Sequence, residues 1–324
     1  MRTVKVGVVG AGSHANNVHY PSICAIEQAE LVAVCDLNSE RLKMTADKYA
    51  IPNRYVDYRE MLEKEELDAA YVIVPPHQLY DIAVDFLKDG INLFIEKPPG
   101  ITRNQTESLA WYAEKHECKT MVGFNRRFIP LLREVKEILE KRGPINQCVS
   151  TFYKNMMSEE PPYYSGAVDV LTSDVIHAID TLRWMGGSEV EEVYSSIRKL
   201  FFEYENSFNA LITFKNGTVG LLMSNWTAGS RIHTFEMHSK GMSAFVNPND
   251  RALIYADGKA EPEIKTTFEA AGGSTEFYVY YGFLEENIHF IRCIVEDREP
   301  ETCFRDAAKT MSLVEMMFGR YRKP

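Results

Sequence analysis

The chain opens on an apolar strand that runs straight into a glycine turn, VKVGVVGAGSHA from Val4 to Ala15. A strand that is apolar on nearly every position is buried on both faces, and glycines at its end bend the chain directly into a helix. Four similar runs follow: LVAVCD (Leu31 to Asp36), AAYVIVP (Ala69 to Pro75), NLFIEKP (Asn92 to Pro98) and KTMVGF (Lys119 to Phe124). Helix-length segments separate them. In SERLKMTADKYA, Ser39 is placed to cap, and Leu42, Ala46 and Tyr49 share one face. Strand and helix alternating at this spacing predict βαβ units and a doubly wound parallel sheet, a Rossmann domain over residues 1–124.

After Asn125 the pattern changes to longer alternating runs, with Asn216-Gly217 as a hairpin turn between two of them. This predicts a second, α+β domain over 125–324, built on a large, mostly antiparallel open sheet. Helices are expected over about 168–184 and 283–295. A third, over 304–321, carries Ala307, Met311, Val314 and Phe318 on one stripe and is expected to pack back on the first domain. A length of 324 residues suits two such cores.

A net charge of -10 argues against a nucleic-acid partner, which needs a concentrated basic face that Arg126-Arg127 alone does not make. No run approaches a membrane span and no leader pattern opens the sequence, so a cytoplasmic location is expected. The six cysteines include no Cys-x-x-Cys pair and read as free buried thiols. The eight histidines show no ligand spacing, so no metal is expected.

In Gly-x-Gly-x-x-Ala, Gly10 permits the tight turn, Gly12 lets the backbone approach a pyrophosphate, and Ala15 lets the helix pack on the sheet. The helix start, with Ser13 and His14, then presents N–H groups to the anion. Asp36 ends the next strand, where its carboxylate can bond both ribose hydroxyls and repel a 2′-phosphate. NAD is therefore expected over NADP, although Arg41 leaves room for a phosphate. Glu96-Lys97 falls at the carboxyl end of a strand of the same sheet, the ligand edge of such folds. A lysine beside the nicotinamide can exchange a proton with a substrate hydroxyl. The two prolines that follow restrict the backbone and allow a cis peptide.

With these motifs in order, the chain resembles the Gfo/Idh/MocA oxidoreductases, the glucose-fructose oxidoreductase and inositol dehydrogenase family. The landmarks are GAGSHA, VCDLNSERL, EKPPG, GFNRRFIP, HAIDTLRWMGG and NIHFIRCI, spread over nearly the whole chain. The resemblance implies an NAD-dependent dehydrogenase acting on a sugar, sugar derivative or cyclitol. Lys97 would be its proton-transfer group and His177 the partner at the substrate hydroxyl. It also implies a homodimer or homotetramer paired through the open sheet. Two readings stand beside this: redox-assisted glycoside cleavage or epimerisation with retained NAD, and a non-catalytic dinucleotide-binding regulator.

The chain departs from the family at two places. The aspartate usual four residues before the histidine is Ser173 here, and Asp174 follows it. Either Asp174 approaches the site on the histidine's face, or it caps a helix while Ser173 makes a neutral bond to substrate. At VPPHQLYDIA, Leu79 stands where the family has a histidine; Pro75 and Pro76 still shape a loop against the cofactor, while His77 and Tyr80 are candidates, His77 reading rather as a solvated loop histidine. Lys154 and Asn155 end a strand and are candidates to face substrate. Tyr163 either lines a sugar face or packs a loop. Arg126 and Arg127 are expected to make ion pairs at the domain junction.

Overall fold

The computed structural model describes residues 2–319, and all counts refer to those residues. The chain forms two compact units: residues up to Asn125 with Phe277–Ala308, and Arg126–Glu276 with the described residues from Lys309 onward.

The first unit holds six parallel strands, β1 (Val4–Val9), β2 (Ala29–Cys35), β3 (Asn53–Tyr55), β4 (Ala69–Val72), β5 (Asn92–Ile95) and β6 (Thr120–Val122). Their order is β3-β2-β1-β4-β5-β6, so the winding reverses between β1 and β4. Ligands bind such sheets outside the carboxyl ends of the strands at that reversal. Helices α1 (Tyr20–Cys24), α2 (Ser39–Lys48), α3 (Tyr58–Lys64), α4 (Pro76–Lys88) and α5 (Arg103–Lys115) connect the strands. A π turn over Ala15–His19 precedes α1. The cap of α2 is Asn38 rather than the expected Ser39: extended Asn38 accepts the Arg41 amide at 2.9 Å, and Ser39 is already helical.

The assignment of everything after residue 124 to the second domain differs from this division over 277–308. There α9 (Phe277–Tyr280) and α10 (Phe283–Val295) belong to the first unit. Burial drives this, because α10 turns Phe283, Phe290, Ile291 and Ile294 inward and packs on α1, the π turn and β1. Thr302 then closes the β6 edge, its carbonyl accepting the Val122 amide at 2.9 Å and its hydroxyl donating to the Val122 carbonyl at 2.8 Å. Helix α11 (Phe304–Met317) is divided. Its Phe304 amide donates to Thr120 Oγ1 in the first unit, whereas from Lys309 it belongs to the second, where its Met317 carbonyl accepts from Ser195. The packing expected for 304–321 thus holds for its first turn only, and residues 320 and 321 lie outside the described residues.

In the second unit an eight-stranded sheet comprises β7 (Gln147–Asn155), β8 (Val190–Arg198), β9 (Ser207–Phe214), β10 (Val219–Asn225), β11 (Thr227–Ser239), β12 (Met242–Val246), β13 (Arg251–Ala256) and β14 (Glu263–Thr266). All neighbours are antiparallel except β7 and β10. Asn216-Gly217 makes the β9–β10 hairpin, with Gly217 at φ +86°. Helices α6 (Pro130–Glu140) and α7 (Ile176–Gly186) lie against the sheet, and α8 (Thr267–Ala270) follows β14. The helix expected from 168 instead begins with a second π turn, Leu171–Val175, and α7 ends at left-handed Gly187.

All six cysteines are free; five are buried, but Cys24 is exposed, against the sequence expectation. No helix among the described residues is long and apolar enough to cross a membrane.

Candidate functional site

Each unit carries one cluster of the candidate residues. In the first, the glycine turn is built as the motif requires. Gly10 has φ +115°, and a Cβ there would lie 2.2 Å from the Ile73 carbonyl oxygen. A Cβ at Gly12 would meet nothing within 4 Å, so the backbone is open to an approaching group. Ser13 and His14 begin the helix, whose first N–H groups have no intrahelical acceptor. Asn16 clamps the turn by donating to the Ala11 carbonyl at 3.0 Å and to Thr45 Oγ1 at 2.9 Å. An open, donor-rich turn of this kind fits a dinucleotide pyrophosphate.

Asp36 ends the neighbouring strand with its carboxylate already engaged. Oδ2 accepts the Ala11 amide at 2.8 Å, and Oδ1 accepts the Asn38 amide at 2.8 Å and Arg41 Nη2 at 2.9 Å. Burial alone would raise its pKa, but Arg41 and the two amides outweigh it and hold the group below the ordinary carboxylate range. Pro75 is the residue before α4, exposed just beyond β4.

Glu96, at the end of β5, is buried and bonded at both oxygens. Oε1 accepts from His14 Nε2 at 3.1 Å and His19 Nε2 at 2.9 Å, while Oε2 accepts the Lys97 amide at 3.1 Å. Desolvation opposes its charge, yet His14 and then His19 draw its pKa well below the usual value. Lys97 follows, and its bond to Pro98 is cis. His14, His19 and Glu96 lie close enough to suggest a cation site. The tautomer argues otherwise. Asn287 Nδ2 donates to the Phe283 carbonyl at 2.7 Å and faces His19 Nδ1 at 3.4 Å, so Nδ1 is an acceptor and Nε2 carries the proton it gives to Glu96. A metal needs the Nε2 lone pair, which this arrangement does not offer.

The second cluster lies around Asp174 in the second unit. Its Oδ2 accepts from Lys154 Nζ and from the Tyr163 hydroxyl, the latter at 2.5 Å. Lys154 also donates to Tyr163 at 3.0 Å, and Trp226 Nε1 reaches the same hydroxyl at 3.4 Å. Burial, then the Asp174 charge, pushes the Tyr163 phenol far above its ordinary pKa. Asp174 makes no helix cap, because its own backbone is inside the π turn. His177 and Ser173 are buried beside it in sequence, His177 on the first turn of α7. Nearby, His233 stacks on Phe152 at 4.2 Å, and burial lowers its pKa well below the ordinary histidine value.

Several candidates have other employment. Asp180, the aspartate three residues after His177 in HAIDTLRWMGG, is buried and takes Arg127 Nε at 2.7 Å, Arg127 Nη2 at 2.5 Å and Thr310 Oγ1 at 2.8 Å. Arg127 is thus an internal strut of the second unit. Asn155 ends β7 exposed. His77 is exposed on α4, and Tyr80 is bonded to Ser108 Oγ at 2.7 Å. The sequence reading missed His19, Asn287 and Asn16. A five-residue spacing puts His14 and His19 about 140° apart on an α-helix, so no periodicity links them. The π turn winds them onto one carboxylate, and such turns recur at functional sites.

Residues 4–124 match the model of an oxidoreductase family with an NAD-binding Rossmann fold, and residues 132–243 match the GFO/IDH/MocA C-terminal domain. The chain is 24% identical over 328 residues to a myo-inositol 2-dehydrogenase of Thermotoga maritima, covering 96% of this chain and 94% of that one. Its fold matches a dehydrogenase from Chromobacterium violaceum with a TM-score of 0.88 at 22% identity, over 98% and 95% of the two chains. It also matches a levoglucosan dehydrogenase solved with NADH and L-sorbose, with a TM-score of 0.85 at 18% identity, over 99% and 97%.

Proposed function

The chain belongs to the Gfo/Idh/MocA oxidoreductase family, and from that premise we propose that it is an NAD-dependent dehydrogenase acting on a secondary alcohol or ketone of a sugar, sugar derivative or cyclitol. The observation that carries the reading is the joint placement, on one sheet, of an open glycine turn after β1, an ionised Asp36 after β2, and Glu96-Lys97 after β5. The name of the Thermotoga maritima relative supports the cyclitol part of it.

In this reading bound nicotinamide supplies the hydride acceptor or donor. Lys97 takes the hydroxyl proton as the alcohol carbon is oxidised and returns it in reduction. His177 orients that hydroxyl. Asp174 is a positioning residue, fixing Lys154 and Tyr163 through one carboxylate oxygen. The ionised Asp36 favours the diol ribose of NAD over the 2′-phosphate of NADP, since like charges repel.

The test is NADH absorbance across a panel of polyols and oxidised sugars, with Lys97→Met beside the wild type. At least one substrate should turn over, and the variant should lose about 10²-fold or more of that rate while keeping its NADH affinity. Near-normal turnover by Lys97→Met, or no net cofactor reduction with any polyol, would reject the reading.

We infer also a homo-oligomer formed by the outer face of the large sheet. The registers align Tyr194, Leu211, Leu221 and Val149 in one row that continues past Glu236 to Phe245, Leu253 and Ile264. An apolar row of this length can meet its own copy across a two-fold axis. Leu211→Lys with Phe245→Lys should leave a monomer in sedimentation velocity; an unchanged mass would rule this face out.

A further inference from the structure

We propose that Glu96 is a positioning residue for Lys97, and that His14 carries the link between the glycine turn and the main chain at that lysine. Strands β1 and β5 are not neighbours; β4 lies between them. The carboxylate crosses that gap. One oxygen is held by two imidazoles from the helical segment that follows the turn, and the other holds the Lys97 amide. His19 is fully buried within ring contacts to Phe94 and Phe283, and Asn287 fixes its tautomer, so it is the permanent anchor. His14 is different. Its side chain is 49% exposed, and it is the residue just before Ala15 of Gly-x-Gly-x-x-Ala, in the first turn of the helix, where a dinucleotide would be received. His14 therefore adds a second, solvent-facing hold on the oxygen that His19 anchors, and the other oxygen of Glu96 holds the amide of Lys97.

Two further features suit this tie. Space for the carboxylate exists only because residue 123 is glycine, since a Cβ there would stand 2.8 Å from Glu96 Oε1. Both oxygens accept N–H groups, so an amide in place of the carboxylate turns its own NH2 toward a donor in either orientation. The chemistry calls for glutamate specifically, not for any polar side chain of that size.

The proposal needs the dehydrogenase reading only for its kinetic arm. In cofactor-free protein, His14→Ala should speed amide exchange over Leu93–Lys97, and His14→Gln, which keeps a side-chain N–H, should restore protection. In turnover, His14→Ala should lower kcat about tenfold, as expected for a modest displacement of a reacting group, with KM for the alcohol nearly unchanged. Gly123→Ala, which crowds Glu96 Oε1 and leaves the His14, His19 and Glu96 side chains in place, should reproduce both effects. Unchanged exchange in His14→Ala overturns the proposal, as does a His14→Gln variant no better than alanine in either measurement. If exchange behaves as expected while Lys97→Met remains active, the tie stands and the role given to Lys97 fails.

Discussion

Asp174→Asn removes one charge while keeping the side-chain volume, and its cost follows from what the carboxylate holds. A single oxygen, Oδ2, takes both the Lys154 ammonium and the Tyr163 hydroxyl, and Asp174 is only 6% exposed. An asparagine carbonyl can still accept both donors, but without the charge that makes each bond strong. Breaking a fully buried pair costs about 3–5 kcal/mol, and a hydrogen bond to a charged group contributes about 1.5–3 kcal/mol. The Lys154 side chain retains 19% exposure, so it recovers some hydration. The expected loss is about 2–3 kcal/mol, a fall in melting temperature of roughly 4–12 °C for a unit of this size. Urea unfolding and thermal melts measure it, with steady-state kinetics corrected for the folded fraction. A positioning residue would also lower kcat, whereas a purely structural one would leave the rate per folded molecule intact. A melt that moves by less than about 1 °C would refute the argument, because a buried ammonium and phenol cannot lose their common anion at no cost.

Asp36→Ser should narrow the preference for NAD over NADP in titrations of both, since it removes the carboxylate that Arg41 now neutralises; a wild type that binds NADP more tightly would overturn the role given to Asp36. Asp180→Asn should cost about 3–5 kcal/mol in urea unfolding, because Arg127 would keep a buried charge without its anion. Acid should destabilise the protein in two windows. His19 and His233 are held neutral by burial, so the unfolded chain gains protons first and stability falls as pH drops below about 6.5. Glu96 and Asp36 have depressed values, so their contribution is complete above about pH 4.3 and fades as pH falls through their folded values. His233→Phe should flatten the first window by up to about 1.4 kcal/mol per pH unit in denaturation curves, and an unchanged slope would refute its buried neutral state.

Some of the site was legible because its signals are local. Gly10, Gly12 and Ala15 were readable from spacing, as a left-handed turn after a buried strand admits few residue types, and Gly10 at φ +115° shows the constraint directly. Asp36 and Lys97 were readable from position, since both follow strands of one parallel sheet whose ligand edge is fixed by its winding. The hairpin at Asn216-Gly217 was readable from two residues. The role of Asp174 was not: helix geometry offered approach to the site or capping, and its place inside the π turn removes the cap alone. Its partners Lys154 and Tyr163 are twenty and eleven residues away, on β7 and on an irregular segment.

The sequence by itself thus determined the two kinds of sheet, the glycine turn and the identity of the charged residues at strand ends, all consequences of short-range sterics and apolar periodicity. Only the tertiary structure decided that 277–308 joins the first unit, that α11 is shared, and that His14 and His19 converge on Glu96. These depend on contacts between residues tens to hundreds of positions apart, such as Asn287 with His19 and Thr302 with Val122. The convergence on Glu96 depends also on the π turn Ala15–His19, which breaks the helical period between His14 and His19. A single inserted residue rotates every later side chain by about 100°, and whether a helix accepts it is settled by what the rotated groups can reach.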